Sequence, residues 1–135
     1  MRVPGRRWFR RYERELVCAR CRSVMAWVRL GLWSLMHIRD GAGAEVTPLG
    51  GGTAIRLAQT RLADAEAADA AGLPRAQDQY RGVAASRREL DYVRRVAGEV
   101  VYELSCPSCR ARYVRSLPDL TAAVRRADSG RVVLG

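Results

Sequence analysis

The chain has 135 residues, enough for one compact domain, and an apolar fraction of 48% that excludes wholesale disorder. Its 24 basic residues are all arginine and face 14 acids, a net charge of +10 that favours polyanionic partners such as nucleic acid. The most apolar run, Val24 to Ile38, spans 15 residues and is broken by Arg29, Ser34 and His37. A membrane-spanning helix needs about 20 apolar residues, so no membrane partner is expected.

The positive charge is unevenly spread. Residues 1–52 hold ten arginines and four acids, 53–98 eight and six, and 99–135 six and four. A polyanion is therefore expected to meet the N-terminal third first. Residues 1–14 read as a basic arm in which Arg6, Arg7, Arg10 and Arg11 alternate with Trp8 and Phe9. Basic residues interleaved with aromatics suit phosphate contacts plus base stacking, which makes these six the candidate nucleic-acid-binding residues. The competing reading docks Trp8 and Phe9 on the protein's own core and leaves the arginines in water.

The opening "GRRWFRR" resembles a twin-arginine export signal, but "YERE" follows where an apolar region is required. The small-residue cleavage candidate "AGA" at 42–44 would also discard two cysteines. A cytoplasmic, thiol-reducing setting is the resulting expectation.

Residues 15–135 read as a single domain. "RELV" and "SVMAWVRL" are rich in β-branched and aromatic residues and flank Cys18 and Cys21, so a hairpin is expected with the cysteines at its turn. A further strand is expected over Trp33 to Arg39, then a loop that ends in Gly50, Gly51 and Gly52, read as a hinge. From Thr53 the apolar period becomes helical: Ile55, Ala58, Leu62 and Ala65 share one face. Gly72 and Pro74 separate this helix from a second, striped by Tyr80, Val83, Leu90, Val93 and Ala97, with Gly82 a weak point and Gly98 a stop. The two form an expected antiparallel helical hairpin over 53–98. "EVVYEL" and "RARYVR" then flank Cys106 and Cys109 as a second hairpin, a short helix opens at Pro118, and "RVVLG" is a last strand.

All four cysteines lie in a doubled motif: "ELVCARCR" at 15–22 and "ELSCPSCR" at 103–110, with 84 residues between Cys21 and Cys106. A C-x-x-C turn places two thiolates on one side of a tight knuckle, and two facing knuckles make a tetrahedral S4 site of the kind zinc accepts. Each copy is then half of one site, with Cys18, Cys21, Cys106 and Cys109 as ligands of one structural Zn2+. Arg20, Arg22, Arg110 and Arg112 would offset its formal charge.

The pattern resembles a zinc ribbon, over residues 12–40 and 99–116. That resemblance implies one knuckle at each end of a small antiparallel sheet. The usual separation of about 15–20 residues between the pairs is stretched here, so the helical hairpin becomes an insertion. "CPSC" also resembles disulfide-exchange motifs, but those place the first cysteine at a helix N-terminus, and "RARYVRS" reads as a strand. An iron–sulfur cluster would accept the same four thiolates.

His37, the lone histidine, is expected to be partly buried and hydrogen-bonded, and Trp27, Trp33 and Leu35 to pack on the helical hairpin. No Ser/His/Asp or paired-carboxylate arrangement suggests catalysis, and a closed S4 site has no open position, so neither an enzyme nor a small-molecule substrate is expected. The expected fold class is α+β: a small zinc-ribbon-like β unit, an inserted helical hairpin, and a C-terminal helix and strand. The expected function is non-catalytic binding to nucleic acid or a nucleic-acid-associated complex. An adaptor using the helical hairpin as a protein interface is the alternative, and a zinc-releasing thiol sensor a third.

Overall fold

A computed structural model describes residues 13–31, 35–127 and 129–135. The arm residues Arg6, Arg7, Trp8, Phe9, Arg10 and Arg11, and also Trp33, lie outside the described residues. The fold is α+β, with six strands and three α-helices among the described residues in the order β1 (Glu13–Cys18), β2 (Val24–Leu30), β3 (Leu35–Asp40), α1 (Gly51–Ala70), α2 (Val83–Arg95), β4 (Val101–Ser105), β5 (Arg112–Ser116), α3 (Leu117–Arg126) and β6 (Arg131–Leu134). A single 3-10 turn, Pro74–Gln77, lies between α1 and α2. Among the described residues no helix is long and apolar enough to cross a membrane.

The two cysteine hairpins do not share one sheet. β1 and β2 pair antiparallel and extend to β3 on one side and β6 on the other, in the order β3-β2-β1-β6, while β4 and β5 form a separate two-stranded sheet. β6 runs parallel to β1, with Leu16 opposite Val132 and Cys18 opposite Leu134. A parallel partner needs a crossover connection, and α3 lies in the segment that makes the return. The chain end thus caps the exposed edge of β1.

Because strand side chains alternate, the β4-β5 sheet has two faces, and both are used. Leu104 and Tyr113 join Leu16, Ala26, Val28, Leu120 and Val124 in the main core. On the other face Val101 and Val114 pack with Ala54, Ala58, Leu90 and Val93 of the helical hairpin. Leu16 and Leu120 are wholly buried, each worth about 1.5–3 kcal/mol relative to exposure.

The helices differ in how they are held. α3 starts on Ser116, whose hydroxyl accepts from the Asp119 N–H at 3.2 Å, carries a proline in its first turn, and ends in Arg125 and Arg126. That is a well-capped helix with its dipole complemented at both ends. α1 has neither a side-chain cap nor an acid in its first turn. It depends on packing: buried Ala54, Ala58, Ala65 and Ala68 give it a smooth face against α2.

Several sequence expectations are corrected here. Helix α1 begins at Gly51, so two of the three glycines belong to the helix and the hinge reading fails. A Cβ on Gly51 would stand 2.1 Å from the Ala97 carbonyl oxygen, so glycine is what allows this backbone approach. Gly82 is the N-cap of α2, because the second helix does not run continuously from Pro74. Ala97 is exposed past the end of α2. Trp27 does not pack on the helical hairpin; it points away from the core, 37% exposed, with Glu15 and Arg39 as its cross-strand neighbours. Ala26 and Val28 take the inward positions of β2, which forces residue 27 outward. His37 is hydrogen-bonded, to Glu45 at 3.2 Å, but on an exposed surface.

The close approach at Gly51 has a direct test. Gly51→Ala is expected to cost about 1–3 kcal/mol, because the new methyl meets backbone that cannot rotate away. Gly50→Ala, whose Cβ would meet nothing within 4 Å, is expected to change stability by less than about 0.5 kcal/mol. Thermal unfolding of the two variants beside the parent protein measures the difference.

Candidate metal centre

The leucine, the first cysteine and the final arginine of the doubled motif have the same job in both copies. Leu16 and Leu104 are buried in the main core and anchor the incoming strand. Glu15 pairs with Arg131 at 3.4 Å, and Glu103 pairs with Arg61, so each glutamate ties its hairpin to a different element. Cys18 and Cys106 make backbone hydrogen bonds of the same pattern: the N–H of Cys18 donates to the Ser23 carbonyl at 2.9 Å, and that of Cys106 to the Ala111 carbonyl at 2.8 Å. Arg22 and Arg110 donate their N–H groups back to the Cys18 and Cys106 carbonyls, both at 2.9 Å.

That last bond closes a tight turn and requires left-handed backbone. Arg22 has φ 64° and Arg110 φ 65°, the two non-glycine residues with positive φ among those described. An L-residue there costs about 1–2 kcal/mol. The arginines following each cysteine pair therefore occupy a strained corner of each knuckle.

The two knuckles face one another. Cys18 Sγ lies 3.6 Å from Cys109 Sγ, and Cys21 Sγ lies 3.4 Å from Cys106 Sγ. All four sulfurs lie within 4.8 Å of one another. The cysteines are free thiols, with separations far beyond the ~2.05 Å of a disulfide. Metal–sulfur bonds of ~2.3 Å in a tetrahedron would put the sulfurs ~3.8 Å apart. Cys18, Cys21, Cys106 and Cys109 are thus close enough to hold one metal ion, as the spacing of the motif leads one to expect. Cys18 and Cys106, the first of each pair, are buried, whereas Cys21 is exposed and Cys109 half-buried.

The local electrostatics favour thiolate on the first knuckle. The hydroxyl and N–H of Ser23 hold the Cys21 thiol down to about 6. Burial pushes the Cys18 thiol up, but hydrogen bonds from Tyr113 and from the N–H groups of Cys21 and Arg20 outweigh it, leaving a net lowering. Cys109 is pushed up to about 12, first by burial and then by its hydrogen bonds to the other three sulfurs, against the Ala111 N–H. Four sulfurs this close cannot all be anionic without a cation among them.

Tyr113 is the contributor that the sequence did not announce. From β5 of the second hairpin its hydroxyl reaches the first knuckle, accepting from the Ala19 N–H at 3.1 Å and lying 3.3 Å from Cys18 Sγ. Burial and the Cys18 contact raise its phenol well above the ordinary range. One buried ring thus fixes the position of one knuckle relative to the other. Its spacing from Cys109 carries no signal of this role, since the contact spans the two hairpins. Of the four arginines expected to balance the charge, Arg20 is engaged with Asp78 at 3.0 Å and Arg112 with Glu89 at 2.8 Å, while Arg22 and Arg110 are exposed.

Glu89 and Glu103 complete a second bond between parts. Arg61 of α1 contacts both carboxylates, and Arg112 of β5 contacts Glu89 of α2. This half-buried network fastens the helical hairpin to the second knuckle. No known protein family, curated protein or solved structure matches this chain.

Two substitutions separate the parts of this centre. Tyr113→Phe keeps the buried ring and removes the hydroxyl, and is expected to weaken metal affinity about tenfold in chelator competition without unfolding the protein. Arg110→Gly relieves the left-handed corner and is expected to stabilise the metal-loaded protein by about 0.5–1 kcal/mol, read as a higher Tm.

Proposed function

We propose that this chain is a small, non-catalytic zinc protein that binds nucleic acid or a nucleic-acid-associated complex in the cytoplasm. The observation that carries the metal assignment is the grouping of four sulfurs within 4.8 Å, with contacts of 3.4 and 3.6 Å across the two knuckles. Four cysteine ligands complete the coordination of zinc and leave no open position for substrate, which supports a structural role. The close grouping also favours a single ion over a cluster, whose several metal atoms would hold the ligand sulfurs further apart.

Zinc would supply folding energy here. The β4-β5 hairpin is only two strands, marginal by itself, and the site joins it to the four-stranded sheet. The nucleic-acid part of the reading is supported by the net charge of +10 and by the arginine-only basic composition, since guanidinium forks pair bidentately with phosphate. The arm arginines Arg6, Arg7, Arg10 and Arg11 add a salt-dependent contact, with Trp8 and Phe9 available for stacking.

Elemental analysis is expected to find one zinc per chain, and none in the doubly substituted Cys106→Ser, Cys109→Ser protein, which should also lose its fold. A colourless, folded protein without zinc would overturn the metal assignment. Binding to a single-stranded oligonucleotide should weaken steeply with salt, by about 0.7 in the log–log slope per phosphate contacted. Affinity that ignores salt would remove the nucleic-acid reading.

A further inference from the structure

A cleft of about 350 Å³ lies between the helical hairpin and the second knuckle, and five arginines line it: Arg61, Arg75, Arg81, Arg110 and Arg112. They come from five separate places in the chain: α1, the 3-10 turn, the turn before α2, the knuckle, and β5. The acids of the lining are Asp64 and Asp78, and Asp78 is already engaged, by Arg20 at 3.0 Å and by the Tyr80 N–H at 2.7 Å. Arg61 and Arg112 are held in place by Glu89 and Glu103, whereas Arg75, Arg81 and Arg110 are exposed and make no ion pair among the described residues. Past Arg81 and Arg110 the cleft continues to Ser105 and Cys106 beside the metal centre.

Glu89 and Glu103 offset Arg61 and Arg112, and the remaining like charges of Arg75, Arg81 and Arg110 repel one another unless an anion joins them. Fixed guanidinium groups at the base and free ones at the rim form a receptor for a compact, multiply hydrogen-bonding anion such as phosphate. Arg112 also borders a second groove of about 370 Å³, walled by Tyr80 and Tyr92 and by Arg95 and Arg115. Arg95 and Arg115 lie over the Tyr92 ring at 5.7 and 6.0 Å. Tyrosine rings and arginine guanidinium groups are the flat surfaces on which unpaired nucleobases stack. A phosphate receptor beside a stacking wall fits an unpaired nucleotide chain better than an acidic peptide, which offers carboxylates but no flat rings.

We propose that this cleft is the phosphate-binding site of the protein, seating the backbone of a single-stranded nucleic acid, with the tyrosine-walled groove beside it receiving a base. The proposal rests on the nucleic-acid reading above and moves its centre from the basic arm to the folded body. The metal-bearing knuckle then serves to position Arg110 and Arg112 opposite the helical hairpin.

The test uses the full-length, metal-loaded protein and a fluorescently labelled single strand of about 15 nucleotides, as DNA and as RNA, read by anisotropy over a range of salt. Arg75→Ala with Arg81→Ala removes two side chains that hold no ion pair, so the fold should persist, as circular dichroism and zinc content will show. Arg125→Ala with Arg126→Ala removes the same charge from the end of α3. The cleft variant is expected to bind about tenfold more weakly and to lose about 1.4 from the salt slope, and the α3 variant to change little. Equal loss in both variants would overturn the cleft as a site and leave only net charge. Unchanged binding in the cleft variant, with loss on substituting Arg6, Arg7, Arg10 and Arg11, would overturn it while keeping the nucleic-acid function. No binding by the parent protein would remove both. Equal competition by polyglutamate would overturn the proposal in favour of an acidic protein partner.

Discussion

Four sulfur atoms from opposite ends of the chain sit within 4.8 Å of one another, and most of the architecture exists to bring them there. Such a group is not stable as four thiolates. It must hold protons or a cation, and the 84 residues between Cys21 and Cys106 are closed into a loop by whichever it holds. The entropy of closing a loop grows only slowly with its length, so a helical hairpin inserted between the two halves adds little to that cost. This is why a motif whose halves usually lie close together can be spread over most of a chain. The insertion is then free to take on another role.

The helical hairpin does not hang from the cysteine knuckles as a separate arm. Val101 and Val114 on the outer face of the β4-β5 sheet pack against α1 and α2, and the Arg61–Glu89–Arg112 network pins the same contact with charge. The two-stranded sheet is therefore a middle layer, with the main core on one side and the helices on the other. Tyr113 extends the coupling to the first knuckle through Ala19 and Cys18. The geometry of the sulfurs and that of the arginine-lined cleft thus depend on the same strand: Tyr113 faces one, and Arg112 faces the other. A disturbance of β5 reaches both.

The reading of the site's chemistry follows from what is closed and what is open. Four sulfurs within 4.8 Å of one another are close enough to hold one metal ion between them. What lies open on the folded body is a cleft where Arg75, Arg81 and Arg110 make no ion pair among the described residues, beside a groove where Arg95 and Arg115 lie over Tyr92. These two features are the observations behind the proposal of binding in place of catalysis.

The sequence by itself determined the elements that local chemistry specifies. The doubled E-L-x-C-x-x-C-R motif announced two equivalent knuckles because each needs the same turn, the same buried leucine and the same pair of sulfurs. Period and punctuation placed α1, α3 and six strands to within a few residues, and likewise the end of α2, whose start, expected at Pro74, lies at Val83. Tertiary structure decided whatever depends on distant partners. The parallel pairing of β6 with β1, the splitting of the strands into two sheets, the outward turn of Trp27 and the 2.1 Å approach that requires Gly51 are all long-range matters. So is Tyr113, whose partner is 94 residues away in Ala19, and so is the meeting of five arginines scattered from 61 to 112. Periodicity reports which face a side chain takes on its own element. It carries no record of which other element comes to meet that face.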